Sequence, residues 1–357
     1  MPAPTHLIVV GASAGGMPAL VQLVGQLPAG LSAAVLVVQH FAPDSDGQQL
    51  VSRLARATAL PCRLARHGEP LAAGTLYLAP PDHHLLAKDG DVPHLLVTQG
   101  PRENSYRPSV DALFRSAAVA FGPAVVGVVL TGMLHDGTAG LEFVKRCGGL
   151  AVVQDPAEAQ YPSMPETALR HVPIDYVVPV ALMGPLLAEI TRGVVPKPTA
   201  VVIPDDLRHE AAIAERVVGD GSTAAAEALG TLVPHICPGC GGPLWEMAHG
   251  QVPRYRCHTG HAYTAEALLL ESQQRVEETL WVALRMMEER KNLLASMASR
   301  GPGLYATQQT ERIAELQKHA NRLREFLLSG HENVSEPELR TCVQNGVAAQ
   351  GCAATPF

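Results

Sequence analysis

Three short and uninterrupted apolar runs, at residues 7–10, 33–38 and 125–130, constrain the fold of this 357-residue chain most strongly. A strand whose side chains are apolar at every position, rather than at every second position, must be buried on both of its faces. Such strands are typical of parallel sheets that carry helices on both sides. Because helical patterns alternate with these runs, the sequence predicts an α/β fold around a doubly wound, mainly parallel sheet.

A polar side chain suited to catalysis follows each of the three runs. Ser13 lies in the glycine-rich turn 11–16, His40 comes just after the second run, and Asp136 follows the third. Since the carboxyl ends of parallel strands line one crevice, the three side chains are expected to converge there. A serine nucleophile needs a base, and the base needs a carboxylate that orients it, so the trio predicts a hydrolytic triad.

Other interpretations of these residues stay open at this point. The window 11–16 matches G-x-S-x-G, but the order Ser, His, Asp differs from the Ser, Asp, His order of α/β-hydrolases, so the match does not indicate that fold. A phosphate-binding turn is an alternative, although a nucleotide site needs an acidic residue after the second strand, where residues 40–42 are His-Phe-Ala. Taken singly, Ser13 and Asp136 could be helix caps and His40 a surface residue.

Five motifs follow one another within residues 5–190. They are Gly11–Gly16, Val38–His40, Leu78–His84, Arg107–Phe114 and Leu130–Gly137. In this order they resemble the chemotaxis protein-glutamate methylesterase family, of the CheB type. The resemblance implies hydrolysis of γ-glutamyl methyl esters on methyl-accepting receptor helices, with methanol as product, and it allows for deamidation of glutamines.

The resemblance also implies a role for individual residues. Ser13 would be the nucleophile, His40 its general base and Asp136 the carboxylate that orients the base. Met133 would line the oxyanion region, and the main-chain N–H of Ala14 is the expected donor there. This chemistry needs no cofactor.

Three features depart from the family pattern. The family often has a hydroxyl residue where Ala14 stands and glycine where Leu134 stands, which bears on the lip of the pocket and on substrate preference.

Classical members also carry a phospho-acceptor receiver domain before the esterase, whereas the first strand here begins near Thr5. We therefore expect a stand-alone catalytic domain that lacks the usual phosphorylation control, and that is controlled by its C-terminal half or by another chain.

Shorter patterns predict the remaining parts of the first domain, which extends over residues 1–195. The runs 75–79, 84–86 and 94–97 predict a short antiparallel excursion at the edge of the sheet. The proline-rich stretch that ends at Met164–Pro165 is expected to be a loop near the crevice.

Charge and hydropathy restrict the partners and the location of the chain. A formal net charge of -7 without a basic block argues against nucleic acid as a partner. No segment contains the run of about 18 apolar residues that a membrane span requires, so we expect no membrane insertion. Residues 1–6 lack a basic segment and the apolar run after them is short, so we expect no signal peptide and a cytoplasmic location.

Composition changes after residue 195. Proline, glycine and aspartate turns predict a linker over residues 196–230, in which 210–218 could form a short helix. A zinc-ribbon-like module is expected over 231–263, a helical hairpin over 264–330, and a disordered tail over 331–357.

The module at 231–263 carries a candidate metal site. Cys237 and Cys240 form a C-x-x-C pair, and Cys257 with His261 supplies two further ligands, which predicts a closed, structural zinc site. His258 is the rival of His261 as the fourth ligand, but an adjacent Cys-His pair would strain the loop. A redox C-x-x-C pair is the alternative, although Gly-Gly-Pro rather than a helix follows it.

Heptad-like apolar spacing follows the module. The first stripe comprises Val276, Leu280, Ala283, Met287 and Leu294, and the second Ile313, Leu316, Ala320, Leu323 and Leu327. Because Gly-Pro-Gly at 301–303 interrupts them, an antiparallel hairpin is predicted, with a first arm about 50 Å long. The hairpin either buries only its own seam or offers a surface to a second copy or a partner helix.

Two hypotheses of different classes therefore describe the chain. The first is a protein-glutamate methylesterase with an appended zinc and helical module, acting on methylated chemoreceptor-like helical proteins. The second is a non-catalytic signalling scaffold that docks helical partners. The presence of all three residues Ser13, His40 and Asp136 favours the first.

Overall fold

The structure, a computed structural model, describes residues 2–193, 203–215, 227–299 and 304–329. The predicted tail at 331–357 and much of the predicted linker, at 196–202 and 216–226, lie outside these residues. The chain divides into two units, Met1–Glu271 and Ser272–Phe357. In chain order the elements are β1 (His6–Ala12), α1 (Gly16–Val24), β2 (Ala33–Gln39), α2 (Gly47–Ala55), β3 (Cys62–Leu64), β4 (Leu76–Leu78), β5 (His84–Lys88), β6 (His94–Thr98), α3 (Val110–Phe121), β7 (Val125–Val129), α4 (Thr138–Arg146), β8 (Leu150–Gln154), α5 (Ser163–His171), β9 (Tyr176–Val178), α6 (Val180–Arg192), α7 (Asp205–Ala214), β10 (Gly230–Ile236), β11 (Pro243–Met247), β12 (Arg254–Cys257), β13 (Ala262–Thr264), α8 (Ala265–Ala298) and α9 (Leu304–Ser329).

A seven-stranded sheet forms the centre of the first unit. Its order is β3-β4-β2-β1-β7-β8-β9, and all neighbouring strands are parallel. The register places Ala12 of β1 beside Gln39 of β2, and Gly11 beside Val129 of β7. The residues that follow β1, β2 and β7 therefore meet at one edge of the sheet. This arrangement confirms the predicted α/β class.

Successive side chains of β1 point into two separate cores. Leu7 and Val9 pack with α3, α4 and α5 on one face, whereas Ile8 and Val10 pack with α1, α2 and α6 on the other. All four side chains are buried, and burial of an aliphatic side chain contributes roughly 1.5–3 kcal/mol. The two-sided burial explains why the strand is apolar at every position.

Two local predictions differ from the structure. Leu76–Leu78 forms β4 inside the parallel sheet, between β3 and β2, so only β5 and β6 make up the antiparallel excursion. Met164–Pro165 belongs to the first turn of α5 rather than to a loop. Proline is tolerated there because the first amides of a helix have no partner within it.

A second sheet contains β10, β11, β12 and β13 in sequential antiparallel order. We call residues 230–264, which comprise this sheet, the ribbon. Its small core contains Leu244, Tyr263 and Leu268 together with Cys237 and Cys257.

Buried charges join the ribbon to the parallel-sheet domain. Glu103 and Arg115 come from the domain, Glu210 comes from α7, and Arg254 and Arg256 come from the ribbon; we call these five side chains the interface ion cluster. Arg115 pairs with Glu103 at 2.5 Å, Arg254 pairs with Glu210 at 2.7 Å, and Arg256 lies 3.5 Å from Glu103. All five are buried, and removal of one partner would leave a charge without compensation.

Helix α7 lies within the region that the sequence assigned to a linker. It begins at Asp205 rather than at 210, and residues 216–218 of the expected helix lie outside the described part of the chain. Leu207 packs into the core beneath α3, and Glu210 is 1% exposed. This part of the region is thus docked onto the domain.

The second unit contains most of α8, and all of α9. Leu284, Ala320 and Leu327 are buried in the seam between the two helices, with Leu280, Met287 and Leu323 packed around them. Val276, which the spacing placed on this stripe, is 59% exposed. Among the described residues, no helix is long and apolar enough to cross a membrane.

Candidate active site

The turn between β1 and α1 presents Ser13. Gly15 has a φ of 70°, in the left-handed region that glycine adopts without strain, and it precedes the helix. At Gly16 a Cβ atom would lie 2.2 Å from the side-chain oxygen of Gln39, so the close approach requires glycine. The hydroxyl of Ser13 is therefore presented at the carboxyl edge of the sheet, next to the residue that follows β2.

His40 lies between the other two predicted triad residues. Its Nδ1 is 3.2 Å from Ser13 Oγ, and its Nε2 is 2.8 Å from Asp136 Oδ2. Because an ionised carboxylate can only accept, Nε2 carries the hydrogen and Nδ1 keeps the lone pair that accepts from Ser13. The two ring nitrogens thus have the reverse of their roles in the chymotrypsin triad. The ring of Tyr106 stacks on the imidazole at 3.7 Å, with an angle of 9° between the planes.

Asp136 is buried at the N-terminus of α3, where the helix dipole favours a negative charge. Burial alone would raise the pKa of Asp136, but the hydrogen bond from His40 and the bonds from the helix and Asn104 hold that pKa below its usual range. The carboxylate consequently stays ionised and fixed in orientation. Its five donors are His40 Nε2, the amides of Val110 and Asp111, Ser109 Oγ and Asn104 Nδ2.

A second buried carboxylate lies beside the first. Asp111 accepts from the amides of Gly137 and Gly140, and Asn104 Nδ2 donates to it at 2.7 Å. Burial, followed by the negative charge of Asp136, raises the pKa of Asp111. Asn104 therefore donates to two neighbouring carboxyl groups with one amide.

Sequence reasoning assigned no role to Asn104 or Tyr106. Both lie in the loop before α3, which has no periodicity, so only their proximity in the fold reveals them. Ser109 and Asp111 do lie in one of the five motifs, and that motif was the available signal.

The predicted oxyanion region lies around Ser13 and the turn after β7. The amide of Ser13 donates to Thr131 O at 3.1 Å and is thus engaged, whereas the amides of Ala14 and Met133 have no acceptor among the described residues. Met133 is 50% exposed, and Leu134 has a φ of 68°. Neither of these two amides is engaged by a described residue, as an oxyanion role would require.

The ribbon brings the four predicted metal ligands together. The ligand atoms of Cys237, Cys240, Cys257 and His261 all lie within 4.8 Å of one another, so this cluster can hold a metal ion. His258 lies instead against Gly242, where a Cβ atom would be 2.4 Å from its ring.

Two of the six separations within the cluster are close to the edges of a tetrahedron. Cys240 Sγ and Cys257 Sγ are 3.7 Å apart, and Cys257 Sγ is 3.5 Å from His261 Nδ1. A disulfide would need about 2.05 Å between sulfurs. Tetrahedral zinc with bonds of about 2.3 Å to sulfur and about 2.05 Å to nitrogen gives edges of about 3.8 and 3.6 Å. The donor set and these two separations therefore fit a metal ion held by the four side chains.

Comparison with known proteins relates the first half of the chain to one family. Residues 8–187 match the family model described as CheB methylesterase. A protein-glutamate methylesterase/protein-glutamine glutaminase 2 of Methanosarcina mazei is 37% identical over 194 residues, which are 52% of this chain and 52% of the relative. A putative protein of the same description from Leptospira interrogans is 35% identical over 52% of this chain and 95% of its own length.

A solved structure shows the same likeness. The CheB methylesterase catalytic domain of Thermotoga maritima is 30% identical, with a TM-score of 0.51, and the match covers 53% of this chain and all of that one. The chain spans about half the length of several of the curated relatives that it matches.

Proposed function

The chain belongs to the CheB methylesterase family, and on this premise we propose that it is a protein-glutamate methylesterase that hydrolyses γ-glutamyl methyl esters on methylated receptor proteins. The observation that carries the proposal is the continuous path of hydrogen bonds from Ser13 through His40 to Asp136, at 3.2 and 2.8 Å. The proposed substrates are chemoreceptor-like helical proteins, and the proposed site of action is the cytoplasm, as the family resemblance implies.

The first half of the reaction forms an acyl-enzyme. Ser13 Oγ attacks the ester carbonyl while His40 Nδ1 removes its proton. Asp136 stabilises the resulting imidazolium through its bond to Nε2. The tetrahedral intermediate then collapses, the bond to the methoxy oxygen breaks, and His40 returns the proton to that oxygen, so methanol leaves.

The second half reverses these roles with water. His40 Nδ1 removes a proton from a water molecule as its oxygen attacks the acyl carbon. The bond to Ser13 breaks, the serine regains its proton from His40, and a glutamate side chain is released. The negative charge that develops on the carbonyl oxygen in both halves would be stabilised by the free amides of Ala14 and Met133.

Glutamine deamidation is a second candidate activity. The relatives from Methanosarcina mazei and Leptospira interrogans are named as protein-glutamine glutaminases as well as methylesterases. The same steps would apply to a side-chain amide, with ammonia leaving in place of methanol.

We also propose that Cys237, Cys240, Cys257 and His261 bind a structural zinc ion. Four protein ligands complete a tetrahedral sphere and leave no position for a reacting water, so the metal would stabilise the ribbon rather than take part in the chemistry. The hydroxyl of Tyr263 lies 3.6 Å from Cys237 Sγ and can donate to the thiolate.

Replacement of the serine tests the function directly. We expect Ser13→Ala to abolish methanol release from methylated receptor membranes with little change in melting temperature, because only a half-buried hydroxyl is lost. Ser52→Ala, which removes an exposed hydroxyl from α2, is the matched control and should retain wild-type turnover. Wild-type turnover in Ser13→Ala would overturn Ser13 as the nucleophile, whereas a wild-type chain that releases no methanol would favour the alternative of a non-catalytic scaffold that docks helical partners.

A further inference from the structure

The loop segment Glu103–Tyr106 connects the ribbon with the triad. Glu103 belongs to the interface ion cluster, Ser105 donates to Glu271, and Tyr106 stacks on His40. Asn104 and Ser105 have φ values of 49° and 71°, a left-handed conformation that residues other than glycine rarely adopt. Surrounding contacts must therefore hold the segment in this shape.

Both the main chain and the side chain of Asn104 contact the last ribbon strand. Its amide N–H donates to Ala262 O at 2.8 Å, and Glu103 forms a parallel bridge with Ala262. Its side-chain oxygen accepts from the amide of Thr264 at 2.9 Å. The side chain is buried, so these bonds have little competition from water.

The chemistry of these partners fixes the orientation of the Asn104 amide. The backbone N–H of Thr264 donates and the ionised Asp136 can only accept, so the oxygen must face Thr264 and the nitrogen must face Asp136. The nitrogen then has one oxygen of Asp136 and one of Asp111 as acceptors. Without Thr264 the oxygen would lose its buried donor, and nothing in the ribbon would hold the amide in this orientation.

The candidate metal site lies directly before this strand. Ala262 follows His261 in the sequence, and Cys257 ends β12, the strand that pairs with β13. A metal held by the four ligands would fix His261 relative to the rest of the ribbon. The position of β13, and with it the position of Thr264, therefore depends on the arrangement of the ligands. A continuous set of contacts leads from the metal site through β13 and Asn104 to Asp136.

We propose that Asn104 is a positioning residue for Asp136, and that the metal-bound ribbon holds Asn104 in place, so that metal binding and turnover are coupled. The proposal rests on the proposed function and names how the same site is regulated. A metal-free ribbon would release the Asn104 amide, loosen the carboxylate that orients His40, and lower kcat.

Four full-length proteins test the coupling: the wild type, Asn104→Ala, Cys237→Ser and the double variant. The readouts are kcat and KM for methanol release, and the rate at which a fluorophosphonate labels Ser13. Because a hydrogen bond to a charged group is lost, we expect Asn104→Ala to lower kcat about tenfold or more with KM little changed. Cys237→Ser should lower kcat similarly, and the double variant should lose no more than the larger single loss.

A measurement on the unmodified protein avoids any failure of a variant to fold. Removal of metal from the wild type with a chelator should slow the labelling of Ser13 about tenfold, and zinc should restore it. Glu142→Gln is the matched control, since Glu142 accepts from the amides of Gln251 and Val252 at the same interface but has no contact with Asp136. It should keep wild-type kcat.

The outcomes separate the coupling from the function. Normal methanol release that is insensitive to metal and to Asn104→Ala would overturn the coupling and leave the methylesterase function standing. If the fold-losses in kcat of the two single variants multiply in the double variant, the two residues act independently and the coupling is also overturned. Metal-dependent labelling of Ser13 without methanol release would support the coupling and overturn the proposed substrate. If Ser13 is neither labelled nor active, both proposals fail.

Discussion

At the residue scale, the pKa of Glu103 is set by the charged side chains that surround it. Burial by itself would raise its pKa, but the charges of Arg115 and Arg256 lower the pKa to about 2. A carboxylate with a depressed pKa in the folded state stabilises the fold at pH values above its unfolded pKa, and this stabilisation is lost as the pH falls through the folded pKa. The relevant window therefore extends from about 4.5 down to about 2.

Glu103→Gln tests this contribution. At pH 7 we expect the free energy of unfolding to fall by about 3–5 kcal/mol, because Arg115 and Arg256 lose a buried partner. The difference between wild type and variant should shrink as the pH falls from 4.5 towards 2, as measured by urea unfolding at several pH values. Glu142→Gln is again a suitable control. If the difference in unfolding free energy between wild type and Glu103→Gln stays constant over this range, the lowered pKa of Glu103 is contradicted.

At the residue scale, the sequence predicts what lies at the strand ends and misses what lies in loops. Ser13, His40 and Asp136 follow apolar runs, so the register of a parallel sheet accounts for their convergence. Asn104 and Tyr106 have no such pattern, because the contacts that place them are made by β13 and by His40, which are distant in sequence. Their roles, like those of the triad, stay predictions until they are measured.

At the scale of elements, the ribbon is the one whose stability we expect to depend on a ligand. The small core around Leu244 and Tyr263 provides little apolar burial, so bound zinc would supply much of the folding free energy. We expect about one zinc per chain by elemental analysis. Cys237→Ser should release it and increase hydrogen exchange within 231–263.

Cys62→Ser is the matched control for the metal, since Cys62 is half-buried in β3 and is not among the four clustered ligands. It should retain the zinc. A chain purified without chelator that carries no metal, yet keeps the ribbon protected from exchange, would contradict the site.

Elements with strong periodicity are the ones the sequence predicts well. The uninterrupted runs became central strands, and Ala320, Leu323 and Leu327 of the second stripe lie along the helical seam. β4 is only three residues long, and its pairing is decided by the strands on either side of it rather than by its own sequence. The start of helix α5 was predicted as a loop, because its first turn contains Pro165 and proline-rich stretches are typical of loops.

At the scale of the whole molecule, the C-terminal half is expected to control turnover. Residues 1–195 should fold alone, because the solved Thermotoga maritima domain matches this part over its full length. Deletion of 196–357 removes both ribbon contacts of Asn104, so we expect kcat to fall about tenfold. The comparison with the full-length chain requires methanol release and light scattering, since residues 264–330 are the predicted surface for a second copy or a partner helix.

An unchanged rate together with an unchanged oligomeric state would show that the C-terminal half is neither a regulator nor an assembly element. Recruitment of the substrate would then be the role left to test.

The interface ion cluster limits how such a protein can be recombined. Its three arginines and two glutamates come from three separate parts of the chain, and their ion pairs link all three parts. A chimera that receives the ribbon alone would therefore bury two guanidinium groups opposite the wrong surface. Exchange of this module between esterases would require the acceptor to supply counterparts of Glu103 and Glu210, so we expect the ribbon and the residues that it pairs with to be inherited together.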